Sequence, residues 1–156
     1  VNVLDLLIRK YVPLWGDNRA TPHPFHVQLR SPSRASMLTL DRLTMDRAQL
    51  AREQLARSVK ESAEGLTDEA AERAAKTDLE AMQKESDRAL QVRRDFIADH
   101  LVEVVGLEIP EEAWDHSGLD PKVGLKGFVM AQNGLMLELE RELKRRGTLP
   151  GGEAKS

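Results

Sequence analysis

Phe25-His26-Val27-Gln28-Leu29-Arg30-Ser31-Pro32 is the stretch on which the reading of the fold turns. Strict alternation through Arg30 puts Phe25, Val27 and Leu29 on one face of a β-strand. Ser31-Pro32 then reads as a helix start. The serine oxygen can accept an orphan backbone N–H, and proline suits the first helical position, where no donor is needed. A helix is therefore expected from Pro32. A lone strand is not stable, so this one needs a partner from residues 3–9, from Val102–Val105 or from another subunit.

Downstream the pattern is helical. Met37, Leu38, Leu40 and Leu43 recur at core-facing spacing, and Leu50, Leu55 and Val59 continue it through an Ala- and Arg-rich run from Asp46 to Glu64. Gly65 interrupts the run, and Thr67 followed by Asp68-Glu69 supplies a cap with acids in the first turn. A long helix is expected from Asp68 to Gly106. Its first half is rich in alanine and reads as an exposed arm or hairpin, whereas Phe96, Ile97, Leu101 and Val105 make its second half amphipathic. A heptad frame through Leu79, Met82, Leu90 and Ile97 sets Ser86 and Arg93 at the seam, which speaks against a long coiled coil. Pro110–Trp114 reads as a short turn. Asp120-Pro121 opens a C-terminal helical region that Asn133-Gly134 divides and Gly147 ends.

The expected architecture is thus mainly α: a helical domain with a small N-terminal β element of one or two strands, and a helical hairpin or long helix in the middle. One domain is expected over 1–147, comprising 1–30, 31–106 and 107–147, with a flexible tail at 148–156. The length of 156 residues agrees, since single domains commonly run to ~100–150 residues. A charged fraction of 31% against 4% aromatics favours charged helices over an aromatic-rich sandwich.

The formal net charge is -3 with acids and bases interleaved, so no positive field is available for a phosphate backbone, and nucleic acid is not an expected partner. The absence of cysteine removes disulfides, thiol nucleophiles and cysteine zinc sites, and fits a reducing compartment. Val3–Ile8 is too short for a membrane span and lacks the order of a signal peptide, so no membrane association is expected.

Few residues suggest chemistry. His23 and His26 flank Pro24-Phe25, but a zinc site needs three or four convergent donors. Glu111-Glu112 with Asp115-His116 would make an acid–base cluster only in a desolvated pocket, and acids beside a proline-led turn more simply support a helix start. Arg93-Arg94 and Lys144-Arg145-Arg146 read as solvated helix ends. No catalytic residue, metal ligand or cofactor is expected. Trp15 and Trp114, in proline-flanked surroundings, are either lids on the core or contact residues, tryptophan being enriched at binding hot spots.

Tyr11-Val12-Pro13-Leu14-Trp15-Gly16-Asp17-Asn18-Arg19-Ala20-Thr21-Pro22 resembles an N-terminal signature of small proteins of long-tailed bacteriophages, Tyr-x-Pro-x-Trp-x-x-Asn-Arg-x-x-Pro. There too, a strand and a proline-led helix start follow it. Phe96-Ile97, Val104–Leu107, Pro121 and a last helix around Met136–Leu143 are similar in layout to phage tail assembly chaperones. Residues 46–90 depart from that pattern by being longer and more Ala-rich. The resemblance implies a non-enzymatic, host-cytoplasmic chaperone that binds the tape-measure protein, keeps it soluble and helps bring the tail-tube protein to it. Trp15, Asn18, Arg19 and Trp114 are its candidate partner-binding residues. Asn18 and Arg19 can equally organise the loop, Asn18 in a turn with positive φ and Arg19 by clamping a carboxylate or backbone carbonyls. A homo-oligomer is compatible with this reading. The rivals are a head-tail junction or tail-completion protein of the virion, a helical regulator or adaptor acting through Arg93, Arg94 and the basic end, and an enzyme built around Glu111, Glu112 and His116.

Overall fold

The computed structural model describes residues 6–65 and 67–147. In chain order it comprises β1 (Ile8–Tyr11), a 3-10 segment (Trp15–Ala20), β2 (His26–Arg30), α1 (Arg34–Glu64), α2 (Asp68–His100) and β3 (Leu101–Val105). After these come α3 (Glu111–Ser117), a 3-10 turn (Pro121–Val123), α4 (Gly124–Ala131) and α5 (Asn133–Gly147). The fold is mainly α with one small antiparallel sheet, as the sequence led us to expect. The chain forms two compact units: Leu38–Arg93, and a second unit drawn from the residues on either side of that segment.

In the second unit β2 is the central strand of three, and both intrachain partners that the sequence left open are used. β1 pairs with it from Ile8↔Arg30 to Tyr11↔Val27, and β3 pairs with it from Leu29↔Leu101 to His26↔Val105. Phe25, Val27 and Leu29 are all buried, as their alternation required. The long helix, expected to run to Gly106, instead ends at His100. The physical reason is a bulge. Gln28 pairs with Glu103 but Leu29 with Leu101, which leaves Val102 as the extra residue. That residue reverses the pleat, so Leu101 and Val104 both turn inward although three positions apart. In the bare sequence their spacing imitates a helix face.

The helix start is also displaced. Ser31 N–H donates to the Leu7 carbonyl at 2.8 Å, which keeps the chain extended past β2. The cap falls to Ser33, whose Oγ accepts the Ser36 N–H at 3.1 Å, and α1 begins at Arg34 rather than Pro32. At the far end of this unit, Leu135, Leu139 and Leu143 recur every fourth residue and are fully buried on one face of α5. Each contributes about 1.5–3 kcal/mol of burial. α4 packs on both β3 and α5. Asp120 accepts the Lys122 N–H at 2.9 Å, and Gln132, one residue earlier than expected, separates α4 from α5. Val3–Asp5 of the N-terminal apolar stretch and the tail at 148–156 lie outside the described residues.

The Leu38–Arg93 unit is an antiparallel helical hairpin. Gly65 turns with φ 64°, and Thr67 Oγ1 caps the new helix by accepting the Ala70 N–H at 3.3 Å. Arg57 pairs with Asp78 at 2.5 Å and Arg88 with Asp46 at 2.7 Å, while Gln54 donates to the Asp78 carbonyl at 3.2 Å. The two ion pairs are exposed and screened by solvent, so they stabilise the hairpin little. The seam between the helices is lined near its tip by Ser58, Ser62, Ala71, Ala74 and Ala75, side chains too small to fill it. Leu40, Leu43 and Ala89 are its buried apolar side chains, whereas Leu38, Met45, Leu55, Val59, Leu79, Met82 and Leu90 are exposed. Ordering a chain costs about 1–2 kcal/mol per residue in backbone entropy, and helices are held chiefly by packing of an apolar face. This unit buries little to offset that cost.

Candidate functional site

The segment that carries the family resemblance folds into one hydrogen-bonded loop. Its centre is Asn18, which is 5% exposed. The Asn18 amide donates to the Pro13 and Phe25 carbonyls and accepts the Phe25 N–H, all at 2.9 Å. One side chain therefore ties together the entry and exit of the loop. Its backbone carbonyl accepts both the Thr21 N–H and the Thr21 hydroxyl. The positive φ expected at Asn18 falls instead on Gly16 (62°) and Asp17 (56°), the two residues before it. The tight reversal there is what aims the Asn18 amide inward. Arg19 donates from Nε to the Val12 carbonyl at 2.8 Å, and its guanidinium lies 5.7 Å from the centre of the Tyr11 ring. It clamps a carbonyl, one of its two expected modes.

Glu138 on α5 fastens this loop to the second unit's core. Its carboxylate accepts the Tyr11 hydroxyl at 2.5 Å, the Leu14 N–H at 2.6 Å and the Trp15 N–H at 3.0 Å. Burial first, and then the hydrogen bond and charge of Glu138, push the Tyr11 phenol up to about 12. The Trp15 ring meets Phe25 edge-on at 6.4 Å, and a Cβ added at Gly134 would come to 3.5 Å from that ring. Sequence reading did not single out Glu138, because an acid on the polar side of an amphipathic helix looks the same whether it is solvated or bonded to residues far away in the chain.

Held in this way, the loop presents an apolar surface. Leu14 is 59% exposed, with half-buried Trp15 following it in the loop, and Leu137, which precedes the anchoring Glu138 on α5, is 48% exposed. Such side chains on fixed backbone are suited to an apolar partner, because little conformational freedom is lost on binding. Trp114 is elsewhere, on α3, half-buried with its ring edge-on to Phe128 at 5.3 Å. The structure thus groups Trp15, Asn18 and Arg19 in one loop and leaves Trp114 apart from them in sequence and in hydrogen bonding.

Glu111, Glu112, Asp115 and His116 are all exposed on the two-turn α3, so no enclosed pocket gathers them. Among the described residues no group of three or more His, Asp or Glu could hold a metal ion. Lys144, Arg145 and Arg146 do lie in the last turn of α5, where Lys144 pairs with Glu140 and both arginines with Glu142. Arg93 and Arg94 are interior to α2 rather than at its end, and Arg94 Nε is buried with no hydrogen-bond partner among the described residues. No described helix is long and apolar enough to cross a membrane. Compared with known proteins, the chain matches no family model, no curated protein and no solved structure.

Proposed function

We propose that this protein is a non-enzymatic phage tail assembly chaperone, which binds the tape-measure protein in the host cytoplasm and assists tail-tube assembly. The observation that carries the reading is the coincidence of two features in one segment. Tyr11–Pro22 resembles the signature of the small tail proteins, and the same segment exposes Leu14 beside half-buried Trp15 on a loop anchored to Glu138, whose neighbour Leu137 on α5 is exposed as well. A surface of this modest apolar extent suits a chaperone, which must cover exposed helical surface on its client and later release it.

Co-expression of the chain with the products of its neighbouring genes tests this. The expected result is that a very long helical protein or a tail-tube subunit stays soluble and co-purifies, and that Leu14→Glu with Leu137→Glu abolishes capture while the fold is retained. Stable incorporation of the protein into finished particles would instead favour the head-tail junction role, and failure to retain any such partner would remove the proposal.

A further inference from the structure

We infer that α1 pairs with α1 of a second copy of this chain, antiparallel, through the face turned away from the hairpin seam. Leu38, Asp41, Met45, Ala48, Arg52 and Leu55 follow one another at alternating steps of three and four, the spacing that keeps one stripe of a helix facing a partner helix. All six are exposed, whereas Leu40 and Leu43, on the other side of the helix, are buried. A helix with apolar residues on two opposite faces has two faces to cover. The sparse core of the Leu38–Arg93 unit gives the second one something to supply.

The polar members of the stripe choose the occupant and its direction. In an antiparallel pair that sets Leu38 against Leu55 of the second copy, Met45 falls opposite Ala48 and Asp41 opposite Arg52. Twofold symmetry repeats each match. Every apolar member then meets an apolar one, and both charges of the stripe are neutralised. A parallel pair would stack Asp41 on Asp41 and Arg52 on Arg52. A shift of one heptad either way would set Asp41 against Val59 or Met45. The charge pattern is self-complementary in one register only, as expected of a surface fitted to its own copy. Among the described residues of one chain, Arg52 bonds Gln49 on its own helix, at 3.0 Å, an exposed contact that an ion pair can replace.

The chain has no cysteine, which allows a direct test independent of any client protein. Residues 38 and 55 lie about 25 Å apart along one helix at 1.5 Å per residue, so no disulfide can join them within a chain. Separately oxidised, Leu38→Cys and Leu55→Cys are expected to stay uncrosslinked, and an equimolar mixture of the two is expected to form a covalent dimer. In sedimentation, Asp41→Arg or Arg52→Asp alone should weaken the dimer about tenfold or more, since like charges face each other. The double reversal should restore it, with helicity unchanged by circular dichroism throughout. A chain that stays monomeric at high concentration would overturn the inference. So would self-crosslinking of either single cysteine variant, or a double reversal that fails to restore the dimer.

Discussion

The sheet-bearing unit and the helical hairpin differ in what holds them. In the first, buried side chains from distant parts of the chain converge: Leu29 from β2, Ile97 from α2, Leu101 from β3 and Leu139 from α5 are all essentially inaccessible to solvent. Its polar groups are also tied down, with Asn18 joining two loop ends and Glu138 holding the loop to α5. The hairpin is longer in helix but thinner in core, and its cross-links are exposed ion pairs. Secondary structure content is therefore a poor guide to stability here. The unit with the sheet and short helices should be the rigid one, and the unit with the long helices the one that opens first.

The largest expected effect lies in the sheet-bearing core. Leu139→Ala should destabilise that unit by about 2–5 kcal/mol, the range for a fully buried leucine, read as a lower midpoint in urea. Next comes the loop. Asn18→Ala leaves two carbonyls and one N–H without their partner, and each such buried group costs about 1–3 kcal/mol, so a loss of about 3 kcal/mol is expected. In the hairpin, Arg88→Ala removes an exposed link to Asp46 and should lower the same midpoint the least of the three. A hairpin substitution as costly as Leu139→Ala would erase the contrast.

The anchor of the loop has its own pH signature. Tyr11 is the only tyrosine in the chain, so phenolate absorbance reports it alone. Its folded value is raised from 10.0 to about 12. A phenol held protonated by the fold stabilises it fully below 10.0, and that contribution is lost as pH rises from there through about 12. Glu138→Gln removes the charge that opposes ionisation, so the Tyr11 titration should move back toward 10.0 in that variant. An unshifted titration in the native protein would contradict the bond to Glu138.

The sequence was most legible where one local signal decided the structure. Alternation gave β2, Gly65 and Thr67 gave the turn and cap of the hairpin, and Asp120 gave the start of the C-terminal region. It was misread where two periodicities coincide, since the bulge at Val102 gives Leu101 and Val104 the spacing of a helix while sheet pairing buries them. The helix start slipped for a similar reason, because Ser31 and Ser33 are equivalent as caps until the bond to Leu7 fixes Ser31 in the extended chain. Trp15, Asn18 and Arg19 were visible as a group, but their local roles depend on Phe25, Val12 and Tyr11, and their anchor on Glu138. Such long-range pairings leave no periodic trace.

Hydrogen–deuterium exchange followed over a range of protein concentrations tests the contrast between the units most directly. The account predicts strong, concentration-independent protection in β2, β3 and α5, and weaker protection across residues 38–93 that increases with concentration as the exposed face of α1 is covered. Equal protection in both units at every concentration would contradict it.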